Sequence, residues 1–306
     1  AESVQAQGLD YGLADRLRFS APTIGNSSTA LTSGPGARSQ PRLALTQPER
    51  LRRISRLFAA NHLYVYPEHR DHDPDRGDLF PAALPQMVIS QGSSRSDRPF
   101  LRALVDALAA MRPETKARLA EAGALAPALR ALLLEATAGA GTPEAMLATE
   151  AHATALDAAR LDLGRMIRAA HALTPDDLPP VARLEVVEEP DPMAGQGVSL
   201  FGAGLGERLV DTPELVARVA RGVIGVRRYR LSARASLSPG EGRARFVWRV
   251  LRGPGATVEP QGADGAEAIA TVPWTEPYPV PGRPDLLTHR VDIGVFALSP
   301  SGAPSA

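Results

Sequence analysis

At 306 residues, with 44% hydrophobic and 22% charged side chains, the chain is long enough for two domains that each bury a core, which excludes disorder throughout. Its 34 basic and 34 acidic residues balance to a formal charge of zero, so there is no electrostatic footprint for a polyanion and nucleic-acid binding is discounted. The absence of cysteine excludes disulfides, zinc–thiolate sites, iron–sulfur clusters, covalently attached c-type haem and thiol catalysis.

Residues 1–45 read as an arm: Gly, Ser, Thr and Pro abound, and hydrophobic residues such as Tyr11 and Phe19 follow no sustained period. The opening AESVQAQG fits a mature chain left by signal-peptide removal at a small-residue site, and on that reading a periplasmic or extracellular location is expected. Lys116 is the only lysine among the basic residues, an arginine-for-lysine bias expected of a GC-rich bacterial genome. The most apolar runs, 101–111 and 215–226, are interrupted by Arg or Asp, so no transmembrane segment is expected.

Thr46-Gln-Pro-Glu49 is a capping-box pattern opening a helix that carries Leu51, Ile54, Leu57 and Phe58 on one stripe and ends near Asn61. Leu63–Tyr66 and Met87–Ser90 have strand composition and are expected to be neighbours. A helix over 99–111 follows, with Phe100, Leu101, Leu104, Val105, Leu108 and Met111 as its apolar stripe. Further helices are predicted over 114–121, 126–136, 143–150 and 155–172. Residues 46–180 thus read as a mainly helical domain with a small sheet. Residues 181–222 read as a connector containing a short helix over 213–220 with Thr212 as its cap.

From Val226 the pattern has period two: Tyr229, Leu231 and Ala233 alternate with Arg228, Arg230 and Ser232, and Phe246, Trp248 and Val250 form a second such row. Closely spaced Gly and Pro turn signals make residues 223–299 an antiparallel β-sandwich, with 300–306 as a tail. The fold class expected is therefore α+β and multidomain. In the Pro-rich stretch 273–284, Trp274 and Tyr278 ride on an extended backbone and either dock on a partner or close one end of the sandwich.

Two patterns could carry chemistry. Between Glu68 and Asp78 lie five carboxylates and two imidazoles, and Asp71-x-Asp73-x-Asp75 has the spacing of the first half of a calcium loop, with Asp78 nearby. The second half fails, because an EF-hand wants Gly and Glu where Arg76 and Ala82 stand; a non-EF calcium site and a solvated polar loop with local Arg–Asp pairing both remain. His69 and His72 suit a transition metal, although their spacing is not diagnostic. The second pattern is the strand–Gln91-Gly92-Ser93-Ser94-Arg95-Ser96-Asp97–helix junction, where Ser93 or Ser94 could serve as a nucleophile and helix amides could hold an anion. Gly-x-Ser-x-Gly is absent, and Ser96 or Asp97 acting as a helix cap accounts for most of the same residues.

The run ARFVWRVLRGPGATVEP with EAIATVPW and RVDIGVFAL resembles immunoglobulin-like modules of the polycystic-kidney-disease type, without their Trp-Asp-Phe-Gly-Asp-Gly signature. NHLYVYPEHRDHDPD, DLFPA, ISQGSSRSDRPFLRAL and ERLVDTP resemble a set of exported bacterial proteins that end in such a module and to which no activity is attached. The resemblance implies an immunoglobulin-like C-terminal sandwich, an extracytoplasmic location, and adhesion or docking. The expectation is a non-enzymatic accessory or scaffolding subunit of a larger assembly, membrane-bound assemblies included. It would bind other protein subunits through the arm (Tyr11, Phe19) and the sandwich (Trp274, Tyr278), and reach any membrane peripherally through them. The competing expectation is a metal-dependent or serine hydrolase with its site between 68–78 and 92–97.

Overall fold

The computed structural model describes residues 23–26, 56–68, 88–140, 147, 155–174, 180–190, 208–219, 225–238, 244–280, 283–298 and 304–305. Over these residues the protein is mixed α/β, with several antiparallel sheets and few helices. Tyr11, Phe19, the acidic run 69–78 and the predicted helix 143–150 lie outside the described residues, except for Leu147.

The first half is built on a parallel sheet in the order β1 (Ile24–Asn26), β2 (Leu63–Pro67), β3 (Val88–Ser90), β4 (Ala155–Leu156). The two strands expected as neighbours are neighbours, with Val65 opposite Val88. Every residue of β2 and β3 is buried, as the near-continuous apolar run of a strand covered on both faces requires. Because successive side chains alternate, Leu63 and Val65 face one way and join the helix-side core, while Tyr64 and Tyr66 face the other.

Four helices, α1 (Arg98–Ala110), α2 (Pro113–Glu121), α3 (Leu125–Ala136) and α4 (Leu163–Ala172), supply that core together with Phe58 from the helix end at 56–59. On α1, Phe100, Leu104 and Ala107 are buried at helical spacing, and Met111 is buried just past its end. Val105, predicted in the same stripe, is 53% exposed, because one residue turns the helix by about 100° away from Leu104. The predicted helix over 155–172 is divided into β4, a 3-10 turn at Ala158–Arg160 and α4. Asp157 accepts from the Ala159 amide at 2.9 Å and Asp162 from the Arg165 amide at 2.8 Å, so each carboxylate starts its own segment.

Asn61 fixes how this half closes. Residues 56–59 are the end of a helix, and Asn61 sits past it at φ 65°, with the His62 amide returning to the Leu57 carbonyl at 2.8 Å in a Schellman arrangement. Its buried side chain donates to the Ala120 carbonyl at 2.9 Å and accepts from the Leu125 amide at 2.9 Å, tying the end of α2 to the start of α3. Gly123 repeats the same cap at φ 68°, and a Cβ there would lie 2.9 Å from the Ala59 carbonyl oxygen. Two helix ends therefore meet back to back, each stopped by a residue suited to left-handed backbone.

The second half is antiparallel. One sheet has the order β10 (Thr257–Gln261), β11 (Glu267–Pro273), β8 (Val226–Ser232), β5 (Glu185–Glu188); another has β15 (Pro304–Ser305), β14 (Asp292–Leu298), β9 (Arg245–Arg252). Leu231, Ala268 and Ala270 of the first sheet form one hydrophobic cluster with Trp248, Ile293 and Val295 of the second. The Trp248 indole N–H donates to the Gly265 carbonyl at 2.7 Å. Two hairpins flank these sheets: β6 (Arg208–Thr212) with β7 (Leu215–Arg218), and β12 (Tyr278–Val280) with β13 (Arg283–Thr288).

The predicted helix over 213–220 is thus replaced by a strand. Pro213-Glu214 makes the turn, the Thr212 hydroxyl bonds the Leu215 carbonyl at 3.1 Å, and Arg218 reaches back to Glu189 at 2.8 Å and Asp211 at 3.2 Å. These cross-strand bonds satisfy groups that a short helix would leave to water. The halves meet where Val181 and Leu237 exchange backbone hydrogen bonds of 2.8 and 2.9 Å and both pack on the first core.

Candidate functional site

In a parallel sheet every strand delivers its following loop to the same edge, so the segments after β2, β3 and β4 converge. The Glu68 amide donates to the Ser90 carbonyl at 2.8 Å, and the Gln91 amide to the Leu156 carbonyl at 2.8 Å. The Glu68 carboxylate accepts from the Gly92 amide at 3.1 Å, fixing the turn that leads into α1. Gly92 at φ 107° and Arg95 at φ 81° put two residues of this turn in left-handed backbone.

The junction does not work as the expected helix cap. Asp97 stands at the N-cap position but makes no side-chain capping bond, and the Ser96 hydroxyl lies 2.9 Å from the Ser90 hydroxyl instead. The reason is in the sequence that follows: Pro99, second in the helix, has no N–H, so one of the two amides that a cap bonds is missing. Tight turns replace it, from the Ser96 amide to the Ser93 carbonyl at 3.0 Å and from the Arg98 amide to the Arg95 carbonyl at 3.2 Å.

Ser93 and Ser94 are exposed at this edge. His62 directly precedes β2 and so stands at the opposite edge, stacked on Tyr64 with ring centroids 6.3 Å apart. Burial lowers the pKa of its imidazole. His171 reaches the Ala110 carbonyl at 3.1 Å, at the far end of α1, and His289 belongs to the antiparallel half. Among the described residues, then, no imidazole is brought to Ser93 or Ser94. His69 and His72, and the carboxylates Asp71, Asp73, Asp75 and Asp78 read as half a calcium loop, lie outside the described residues. Among those described, no group of three or more His, Asp or Glu side chains could hold a metal ion. Among the described residues the four strands run in sequential order, without the reversal that opens a ligand crevice at the carboxyl edge of doubly wound sheets.

Sequence reasoning missed Tyr66. Its side chain is 1% exposed and its phenol oxygen is buried without a hydrogen-bond partner; burial, reinforced by Tyr64, raises its pKa. The signal was present as a tyrosine in an apolar run with the composition of a fully buried strand.

The two aromatics singled out in the antiparallel half differ. Trp274 is 61% exposed, its amide donates to the Gly225 carbonyl at 2.6 Å, and its ring lies 6.5 Å from that of His289. Tyr278 is half-buried and donates its hydroxyl to the Arg290 carbonyl. Arg290 in turn donates to Asp292 at 2.7 Å, and the Arg252 guanidinium lies 3.5 Å from the same carboxylate, with side chains 4% and 12% exposed for Arg252 and Asp292. Burial pulls the pKa of Arg252 down, against the pull of Asp292, and pushes that of Tyr278 up. Tyr278 is therefore part of an internal polar cluster, whereas Trp274 presents its indole to solvent.

Comparison with protein-family models, with curated proteins and with solved structures returned no match. Among the described residues no helix is long and apolar enough to cross a membrane.

Proposed function

We propose that the protein is a non-enzymatic, extracytoplasmic accessory or scaffolding subunit of a larger bacterial assembly, and that it docks other subunits through its β-sandwich. The observation that carries this reading is Trp274, a large apolar side chain held 61% exposed on an anchored backbone. An immunoglobulin-like assignment of the sandwich is supported by its strand orders. They correspond to the four-strand and three-strand sheets of the constant-type immunoglobulin domain, with β5, β8, β11 and β10 in one and β9, β14 and β15 in the other. Buried Trp248 on the third strand of that scheme adds to it. In this reading the mainly helical half is the rigid mount, and the 91–97 turn is a structural junction.

The test has two arms. In a native extract the protein should sediment in a complex larger than its own 32.3 kDa, and Trp274→Ser should release it. Purified protein should carry no stoichiometric calcium or transition metal and show no activity on ester or phosphoester panels that Ser93→Ala or Asp73→Ala abolishes. A monomer in the extract, or a serine- or aspartate-dependent hydrolysis, would overturn the proposal.

A further inference from the structure

The hairpin of β12 and β13 is turned the wrong way round for a surface ribbon. Tyr278 pairs with Thr288 and Pro279 with Leu287, so alternation puts the first pair on one face and the second on the other. The polar face is the inner one: the Tyr278 hydroxyl donates to the Arg290 carbonyl, and the Arg290 guanidinium is held by Asp292 at 2.7 Å. The outer face is largely apolar, with Leu287 56% exposed, Pro279 exposed opposite it, and His289 exposed just past the strand.

Trp274 extends that face, its ring tilted at 42° to the His289 ring. A carbonyl can only accept, so the His289 Nδ1, 3.1 Å from the Thr275 carbonyl, carries the hydrogen and leaves Nε2 of the neutral imidazole as an acceptor. Glu276, two residues after Trp274, is exposed and makes no ion pair among the described residues. Of the charged side chains described between 274 and 290, Glu276 and Asp285 are exposed carboxylates, whereas the cation, Arg290, is committed to Asp292. We propose that Trp274, Glu276 and His289 form the receptor for an arginine side chain of the docking partner. The guanidinium lies on the indole, the aromatic face that attracts a cation most strongly. Its N–H groups donate to the Glu276 carboxylate and to Nε2 of His289, and its methylene stem rests on Leu287. An anionic group would meet two carboxylates and no available cation, and the planar guanidinium suits a stacked, multiply accepting site better than a lysine ammonium.

This deepens the docking role and rests on it for the existence of a partner, but its test uses purified full chain and needs no extract. A negative result therefore removes the arginine receptor and leaves docking through Trp274 standing. The probe is the peptide acetyl-Leu-Arg-Leu-amide, read by NMR through the indole N–H signals of the two tryptophans, Trp248 and Trp274. Titration should move the Trp274 signal saturably and leave in place that of buried Trp248, whose N–H is bonded to Gly265. Citrulline in place of arginine keeps the shape and removes the charge, and should weaken binding at least about fivefold. Glu276→Gln, at an exposed position, should weaken binding of the arginine peptide about threefold, with its Trp248 signal reporting an intact core. A Trp274 signal that stays in place, an equal response to the citrulline peptide, or a Glu276→Gln protein that binds as the wild type does would overturn the proposal.

Discussion

The helix-backed parallel sheet and the antiparallel sheets of the second half bury different material. In the first, Phe100, Leu104, Met111, Leu119, Leu129 and Leu133 are fully enclosed in one cluster, each removing enough apolar area from water to contribute about 1.5–3 kcal/mol. In the second, one cluster encloses Leu231, Trp248, Ala233, Ala268 and Ala270, and Leu251, Phe296 and Leu298 are buried outside it. An alanine contributes far less by burial than a leucine, so within that cluster the indole of Trp248 carries the largest share. The difference lies in what reaches solvent: of the large apolar side chains exposed among the described residues, Val105 belongs to the first half, whereas Val187, Val226, Trp274 and Leu287 belong to the second.

The strongest way to break this comparison is to remove the indole. Trp248→Ala should cost about 3–5 kcal/mol, by cavity formation and loss of the bond to Gly265. Both tryptophans lie in the sandwich, so denaturant unfolding followed by Trp274 fluorescence should shift to lower denaturant while the far-ultraviolet helix signal of the first half moves less. Equal shifts would mean that the Val181–Leu237 junction makes the halves one cooperative unit.

In the first half, Asn61→Ala should cost about 3 kcal/mol, since it leaves the Ala120 carbonyl and Leu125 amide without their partner and puts alanine in left-handed backbone. Asn61→Gly, which relieves only the backbone, should recover about 1 kcal/mol of that in the same denaturation measurement. A smaller effect of opposite sign is expected from Tyr66→Phe: deleting a buried hydroxyl that has no partner should stabilise by about 1 kcal/mol, read as a rise in melting temperature. Destabilisation there would show that the phenol is bonded to something. Smallest of all, Ser93→Ala and Ser94→Ala should stay within about 0.5 kcal/mol of wild type, as exposed positions do.

Much of this was legible in the chain. Period two over 226–232, and the helical stripe Phe100, Leu104 and Met111, express burial on one face, which sequence records directly; over 245–252 the expected row holds only in part, since Trp248 and Leu251, on opposite faces of the strand, are both buried. What failed did so where a side chain overrode a pattern. Thr212, Arg218 and Glu189 turned an expected helix into a hairpin through contacts between residues up to 29 apart in sequence. Pro99 removed an amide that capping needed, and this could have been read from the sequence. Asn61 reads as a helix stop, but its second task, joining α2 to α3, depends on a residue 64 positions away. At the candidate site, the junction after β3 was found at the right place, while the role of Glu68 in holding Gly92 is set by strands being parallel, which periodicity cannot give.

The proposal that the antiparallel half faces partners is tested most directly by placing a photocrosslinking amino acid at position 274 and, separately, at Val105, a large exposed apolar residue of α1 in the first half. Irradiation in living cells should give a discrete higher-mass adduct from position 274 and none from position 105. No adduct at 274, or matching adducts from both, would contradict the account.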